Sequence, residues 1–191
     1  MDINAQRQYP LFAACGLNCG LCPRYHTEGT SRCPGCGGKG FRDVHPSCGI
    51  LSCCLRHGLE YCCQCGEFPC QKYDGVDGSD SFITHKHQRS DFERIKRIGL
   101  EAYQTELGAK VKILQDLLKN YNDGRRKSFF CVAVNLLELH DVAYVMERIA
   151  QETASVFGIK EKAAAAVRLF QAMADTRQVP LKLRKKRPGN R

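Results

Sequence analysis

From residue 90 onward the apolar positions recur at helical intervals. Ile95, Ile98, Tyr103, Leu107, Val111, Leu114 and Leu118 follow one another three to five residues apart, which predicts a long amphipathic helix. Ser90 and Glu93 have the Ser-x-x-Glu spacing of a capping box at its start. Gly99 and Gly108 weaken or divide it, and Asn122-Asp123-Gly124 ends it. A second helix fits 126–138, with Phe129, Val132, Ala133, Leu136 and Leu137 inward. A third fits 141–153, where Val142, Val145, Met146 and Ile149 form a buried stripe. A fourth fits 160–175, with Ala163, Val167, Phe170 and Ala174 on one face. Val179, Leu181 and Leu183 then alternate with other residues, as in a short strand or an extended tail.

Before residue 74 this periodicity is absent, and the chain is rich in Cys, Gly and Pro. The run DGVDGSDS (74–81) reads as a linker. The predicted fold class is mostly α. It has an N-terminal cysteine-rich metal-binding module with little regular structure over 1–76. A C-terminal helical bundle follows over 82–178, then a basic extended tail over 179–191 whose last residues, RKKRPGNR, read as disordered.

Composition adds detail to this division. The hydrophobic share is 43%, Trp is absent and aromatics are 8%, which points to an aliphatic core. No stretch approaches the ~18 consecutive apolar residues of a membrane span, so no membrane association is expected. The start, MDINAQRQYPLFAA, lacks the charged-then-apolar pattern of a secretory signal, so a cytoplasmic chain is expected. Net charge is +9, but residues 1–80 carry 7 Lys/Arg against 8 Asp/Glu, so all of the excess lies after residue 80. Two zinc ions, each held by four thiolates, would bring the whole to about +5.

Of the 13 cysteines, 12 lie between Cys15 and Cys70, and Cys131 stands apart among apolar neighbours, as a buried, inert thiol would. In a reducing compartment such clustering points to metal rather than disulfides. CPGCG (33–37) and CCQCG (62–66) each contain Cys-x-x-Cys-Gly, the form of a metal knuckle. Two thiolates at this spacing grip one ion, the turn between them aims backbone N–H groups at the sulfurs, and the glycine tolerates a left-handed backbone. Tetrahedral zinc needs four ligands. Cys19 and Cys22 are the obvious partners for Cys33 and Cys36; Cys70 with Cys53 or Cys48 serves Cys62 and Cys65. Cys15, one of Cys48 and Cys53, and the twins Cys54 and Cys63 are left over, and interleaved pairings remain open. His26, His45 and His57 lie in the same region and could replace a thiolate.

The order CGLNCGLCPRY, CPGCGG, Cys-x4-Cys, LEYCCQCGEFPC resembles the prokaryotic cysteine-rich domain-of-unknown-function family 3795. FERIKRIGLEAYQTEL, NYNDGRRKSFFCVAVNLLELHDV and LKLRKK extend the resemblance over most of 13–186. It implies metal binding and no established activity. The metal positions it implies are Cys15, Cys19, Cys22, Cys33, Cys36, Cys48, Cys53, Cys62, Cys65 and Cys70, with Cys54 and Cys63 as additions.

Four thiolates leave zinc no open coordination position, so such sites are structural and the protein is not expected to be an enzyme. They would replace a core that the Gly/Pro-rich segment cannot build, contributing roughly 10–16 kcal/mol of binding free energy. A zinc hydrolase needs an open ion, and no His/carboxylate ligand set for one is visible. Cys15-x3-Cys19-x2-Cys22 matches the cluster triplet of radical enzymes that use S-adenosylmethionine, but those need a partial barrel that the helical remainder cannot form. An iron–sulfur or redox protein is the main alternative, since thiolates hold both zinc and iron–sulfur units, with Cys54 and Cys63 as spare reactive thiols.

The partner is an unknown protein or an anionic ligand. Arg125, Arg126, Lys127 and Ser128 begin a helix, where cations oppose the dipole unless an anion binds or they instead cap the preceding helix. The tail residues Lys182, Arg184, Lys185, Lys186 and Arg187 could contact nucleic acid, or could simply be solvated.

Overall fold

A computed structural model of the chain describes residues 6–76, 78–155 and 158–185. Among these are seven α-helices and no strand. The helices are α1 (Phe41–Val44), α2 (Gly49–Arg56), α3 (Ser90–Ile98), α4 (Leu100–Asn120), α5 (Lys127–Leu136), α6 (Leu139–Glu152) and α7 (Ile159–Thr176). The mostly α class holds, and the cysteine-rich part contains only α1, α2 and short 3-10 turns.

The chain divides into two compact units. One comprises the described residues of Met1–Gln104 with those of Leu183–Arg191; the other is formed by those of Thr105–Lys182. The division falls inside α4, not in the run 74–81 expected as a linker. The reason is the core of the first unit. Phe12 is fully buried, and its ring centroid lies 5.3 Å from Tyr61, 5.6 Å from Phe92 and 4.9 Å from Tyr103. Tilted and edge-on aromatic contacts of this kind add to simple area burial. The cysteine-rich segment therefore has an apolar interior. It is aromatic where an aliphatic one was expected, and α3 and the first turn of α4 supply part of it. Tyr103 also donates to Asn18 Oδ1 at 2.8 Å, and Asn18 Nδ2 donates to Asp91 at 2.9 Å.

Gly99, at φ +88°, separates α3 from α4, whereas Gly108 lies within α4 without breaking it. The expected capping box does not form. Arg89 holds the N-cap position, Ser90 donates its hydroxyl to the His87 carbonyl, and Glu93 pairs with Lys96.

In the second unit the expected helices are present, with ends shifted by up to two residues. The buried faces include Phe130, Ala166, Leu169 and Leu117 where Phe129, Val167 and Leu118 were expected. Phe130 packs against Phe170 at 6.2 Å. Arg177 Nη2 and Nε bind the buried Asp141 carboxylate at 2.6 and 2.9 Å. Residues 179–184 form no strand. Lys182 N instead donates to the Pro180 carbonyl at 2.9 Å. No described helix is long and apolar enough to cross a membrane.

Candidate metal centre

All thirteen cysteines are unbridged. Two of the Cys-x-x-Cys segments share one local geometry. In CGLCPRY a 3-10 turn spans Cys19–Leu21, Cys22 N donates to Cys19 O at 3.1 Å, and Tyr25 N to Cys22 O at 3.0 Å. In CCQCGEF the turn spans Cys62–Gln64, Cys65 N donates to Cys62 O at 3.0 Å, and Phe68 N to Cys65 O at 3.1 Å. An aromatic residue three places after the second cysteine marks both, a repeat that Cys-x-x-Cys-Gly pairing overlooks. The Cys22 sulfur, outside both expected knuckles, accepts from the N–H groups of Arg24 and Tyr25.

Cys33–Cys36 is built differently. Cys36 N donates to Pro10 O at 2.9 Å, and Arg7, almost fully buried, donates Nη1 to the carbonyls of Phe12 and Cys36 at 2.8 and 3.3 Å. Arg7 N donates to Gly37 O, and Gly37 has φ +70° with its missing Cβ facing the Arg7 side chain at 2.9 Å. The glycine that follows Cys65 has no such conformation or neighbour.

Six sulfur-bearing residues, Cys15, Cys19, Cys22, Cys33, Cys36 and Cys48, line one cavity of about 130 Å³, with Phe82 and Ile83 on its wall. The first expected quartet is thus brought together, and Cys15 and Cys48 join it. Cys48, one option for the second knuckle, lines this cavity.

Burial pushes the Cys15 thiol up to about 12, and a thiolate at Cys36 would raise it further. Cys19 stands well above its ordinary value, first through burial and then through Cys36, Cys15, Cys22 and Cys33. Burial raises Cys36 as well, against the opposing charge of Arg7. Burial thus favours the protonated form at Cys15, Cys19 and Cys36, and a bound divalent ion reverses that preference.

A second group surrounds Cys62, with Cys54, Cys65 and Cys70 as its electrostatic neighbours. The Cys54 S–H donates to the Cys62 sulfur, and burial, followed by Cys62, raises Cys54 to about 12. Tyr73 donates its hydroxyl to Cys15 O at 3.1 Å and stands within reach of the Cys62 thiol, touching both groups. Cys54 therefore stands with the second group, buried and with its thiol pushed up. Cys53 lies beside it on α2, half-buried. Cys63 faces away, toward Lys96 and Glu93, and burial raises it too.

Among the described residues no three His, Cys, Asp or Glu side chains stand, as placed, in an arrangement that could hold a metal ion. The six thiols surround a space rather than meet at a point. Their chemistry nonetheless fits a thiophilic ion: soft donors, no carboxylate, and one histidine, His45, on the same wall. His45 Nδ1 donates to Pro46 O at 2.8 Å and its ring stacks on Phe41 at 4.4 Å. His26 spends Nε2 on Gly20 O at 2.8 Å, and His57 is exposed at the end of α2.

Away from the cysteines, Arg125 N donates to Asp123 Oδ1 and Arg126 N to Asn122 Oδ1, both at 3.0 Å, and the Arg126 side chain pairs with Asp123. These bonds order the loop ahead of α5, whose N-cap residue Arg126 makes no side-chain cap. Cys131 is buried in α5. In the tail, Arg184 binds Asp80, while Lys186 and Arg187 lie outside the described residues.

No curated protein and no solved structure matches the chain. A family model does match, over residues 11–75, which hold all twelve clustered cysteines; α3 to α7 and LKLRKK lie beyond the match. Residues 11–75 match the model of the family described as "Protein of unknown function (DUF3795)".

Proposed function

We propose that the first unit is a structural metal-binding module that carries zinc and serves recognition or regulation, without catalysis of its own. The observation that carries this is the convergence of six unbridged cysteines on one cavity, Cys19, Cys22, Cys33 and Cys36 among them. Buried thiols gathered without a carboxylate or an exposed nucleophile suit a closed, structural ion. The Cys54, Cys62, Cys65 and Cys70 group is the second site. In both, holding an ion requires the sulfurs to turn inward and lose their protons. A reducing compartment such as the cytoplasm would keep these thiols unbridged.

Element analysis of the purified chain, run beside a thiol count, tests this. About two zinc per chain is the expected result. Zinc below one half per chain in reduced, folded protein overturns it. The cavity exceeds the needs of one ion, at about 130 Å³ with six thiols, and this favours an iron–sulfur centre as the second reading. A brown protein absorbing near 400 nm, with iron and acid-labile sulfide, would select that centre.

A further inference from the structure

A second cavity, of about 610 Å³, lies against α1, the loop to α2 and the outer side of α2. Its volume falls in the range of small-molecule sites, roughly 300–1,000 Å³. Its floor is apolar, made by Phe41, Leu51 and Leu55. The fixed charges on its lining are all cations, Arg42, Arg56 and Lys72, with no Asp or Glu among them. The hydroxyls of Ser47 and Ser52 stand on the same wall. This is not a reflection of composition, because residues 1–80 carry slightly more acidic than basic side chains. Arg56 and Lys72, both exposed, bring like charges to one hollow, and an entering anion relieves their repulsion.

We propose that this cavity binds a small phosphorylated organic anion. The phosphate is met by Arg42, Arg56 and Lys72, and the apolar part of the ligand rests on Phe41, Leu51 and Leu55. Guanidinium groups match phosphate oxygens two at a time, and a dianion offsets more of the local positive charge than a carboxylate does. Phe41, His45 and Cys48 line this cavity and the thiol cavity alike, so the ligand lies across a shared wall from the cysteine centre. The site stands on the side chains that line it and holds whether or not a metal is bound.

Calorimetric titration of the full chain with phenyl phosphate, inorganic phosphate and phenol tests this, because phenyl phosphate carries both parts of the proposed ligand. Saturable binding is expected for phenyl phosphate, weaker binding for phosphate, and none for phenol. Arg56→Glu and Lys72→Glu alter exposed side chains, so the circular dichroism of the wild-type fold should persist. Each should weaken phenyl phosphate at least about tenfold, the scale of losing a charge-assisted contact. Absence of saturable phenyl phosphate binding, or binding by both charge-reversed variants as tight as by the wild-type chain, overturns the proposal. So does binding of an oligothymidylate by a chain that ignores phenyl phosphate, which would make the patch a nucleic-acid surface.

Discussion

Arg184 and Asp80, 104 residues apart, grip each other through main chain and side chain together. Arg184 Nη2 and Nε donate to Asp80 Oδ1 at 2.8 and 3.2 Å, Arg184 N donates to Oδ2 at 2.7 Å, and Asp80 N returns a bond to Arg184 O at 2.9 Å. The Asp80 carboxylate also accepts from His85 N at 2.8 Å and has no exposed surface. This bond belongs to the first unit, and it ties a residue of the basic tail to the run that the sequence presented as a linker.

Removing Arg184 strands a buried carboxylate, so Arg184→Ala should cost about 3 kcal/mol of stability at pH 7. The cost should also depend on pH. Burial alone would raise the Asp80 carboxyl, but the bonds from Arg184 and His85 and the Arg184 charge hold it below its ordinary 3.8. The stabilisation is therefore full above that value and lost as pH falls through the lower, folded one. Urea unfolding of both chains between pH 7 and pH 2.5 measures it. A gap that stays constant to pH 2.5 contradicts the assignment.

Gly16 makes a sharper test of the packing between the cysteine segment and α3. Its φ is +91°, and a Cβ there would meet the Gln88 carbonyl oxygen at 2.3 Å and Phe92 Cε2 at 2.8 Å. Gln88 is itself fixed, donating Nε2 to Cys15 O at 2.9 Å. Gly16→Ala combines an unfavourable backbone with a collision against main chain, and should cost several times the ~1 kcal/mol of an open left-handed site. Gly29→Ala is the control, with φ +78° and nothing within 4 Å of the added carbon. Thermal melts of the two variants should separate clearly, with Gly16→Ala the lower.

Helices α5 to α7 could be read in the sequence because their apolar spacing is local information. The two thiol groups were partly legible for the same reason, as Cys-x-x-Cys is a short-range signal. The interior of the first unit was not. Phe92 and Tyr103 lie 80 and 91 positions from Phe12, and nothing in the spacing of either marks it as a partner for the cysteine segment. Tyr73, Gln88 and Arg7 escaped notice for a related reason. Each acts by bonding to a carbonyl or packing on a ring far along the chain, and backbone carbonyls leave no trace in sequence. The capping box failed because Ser90 is drawn back to His87 O, a local competitor that the Ser-x-x-Glu pattern does not register.

The buried thiols set an alkaline limit on the metal-free chain. Cys15 and Cys54 ionise near 9.0 when unfolded and at about 12 when folded. Their raised values give stability that is whole below pH 9 and lost as pH climbs toward 12, because the unfolded state sheds its protons first. Chelator-treated protein should therefore show a falling urea midpoint from pH 8.5 to pH 10.5. Metal-loaded protein, whose ligand thiols have already lost their protons, should fall less. Equal slopes for the two forms would mean that the ion does not engage Cys54.

Ligand removal separates the six thiols of the first cavity, since tetrahedral zinc takes four of them. Cys19→Ser, Cys22→Ser, Cys33→Ser and Cys36→Ser should each lower zinc content from about two per chain to about one, whereas Cys131→Ser should leave it unchanged. Cys48 forms the wall shared with the cationic cavity, and Cys15 is held by its neighbours Gln88 and Leu17, so Cys48→Ser and Cys15→Ser should retain both ions. Metal analysis on this series discriminates the centres by pattern. Four sensitive positions and two silent ones fit a mononuclear zinc site. Loss of iron and of absorbance near 400 nm across the series instead selects a cluster, because a multi-iron centre is lost as a unit when a ligand fails.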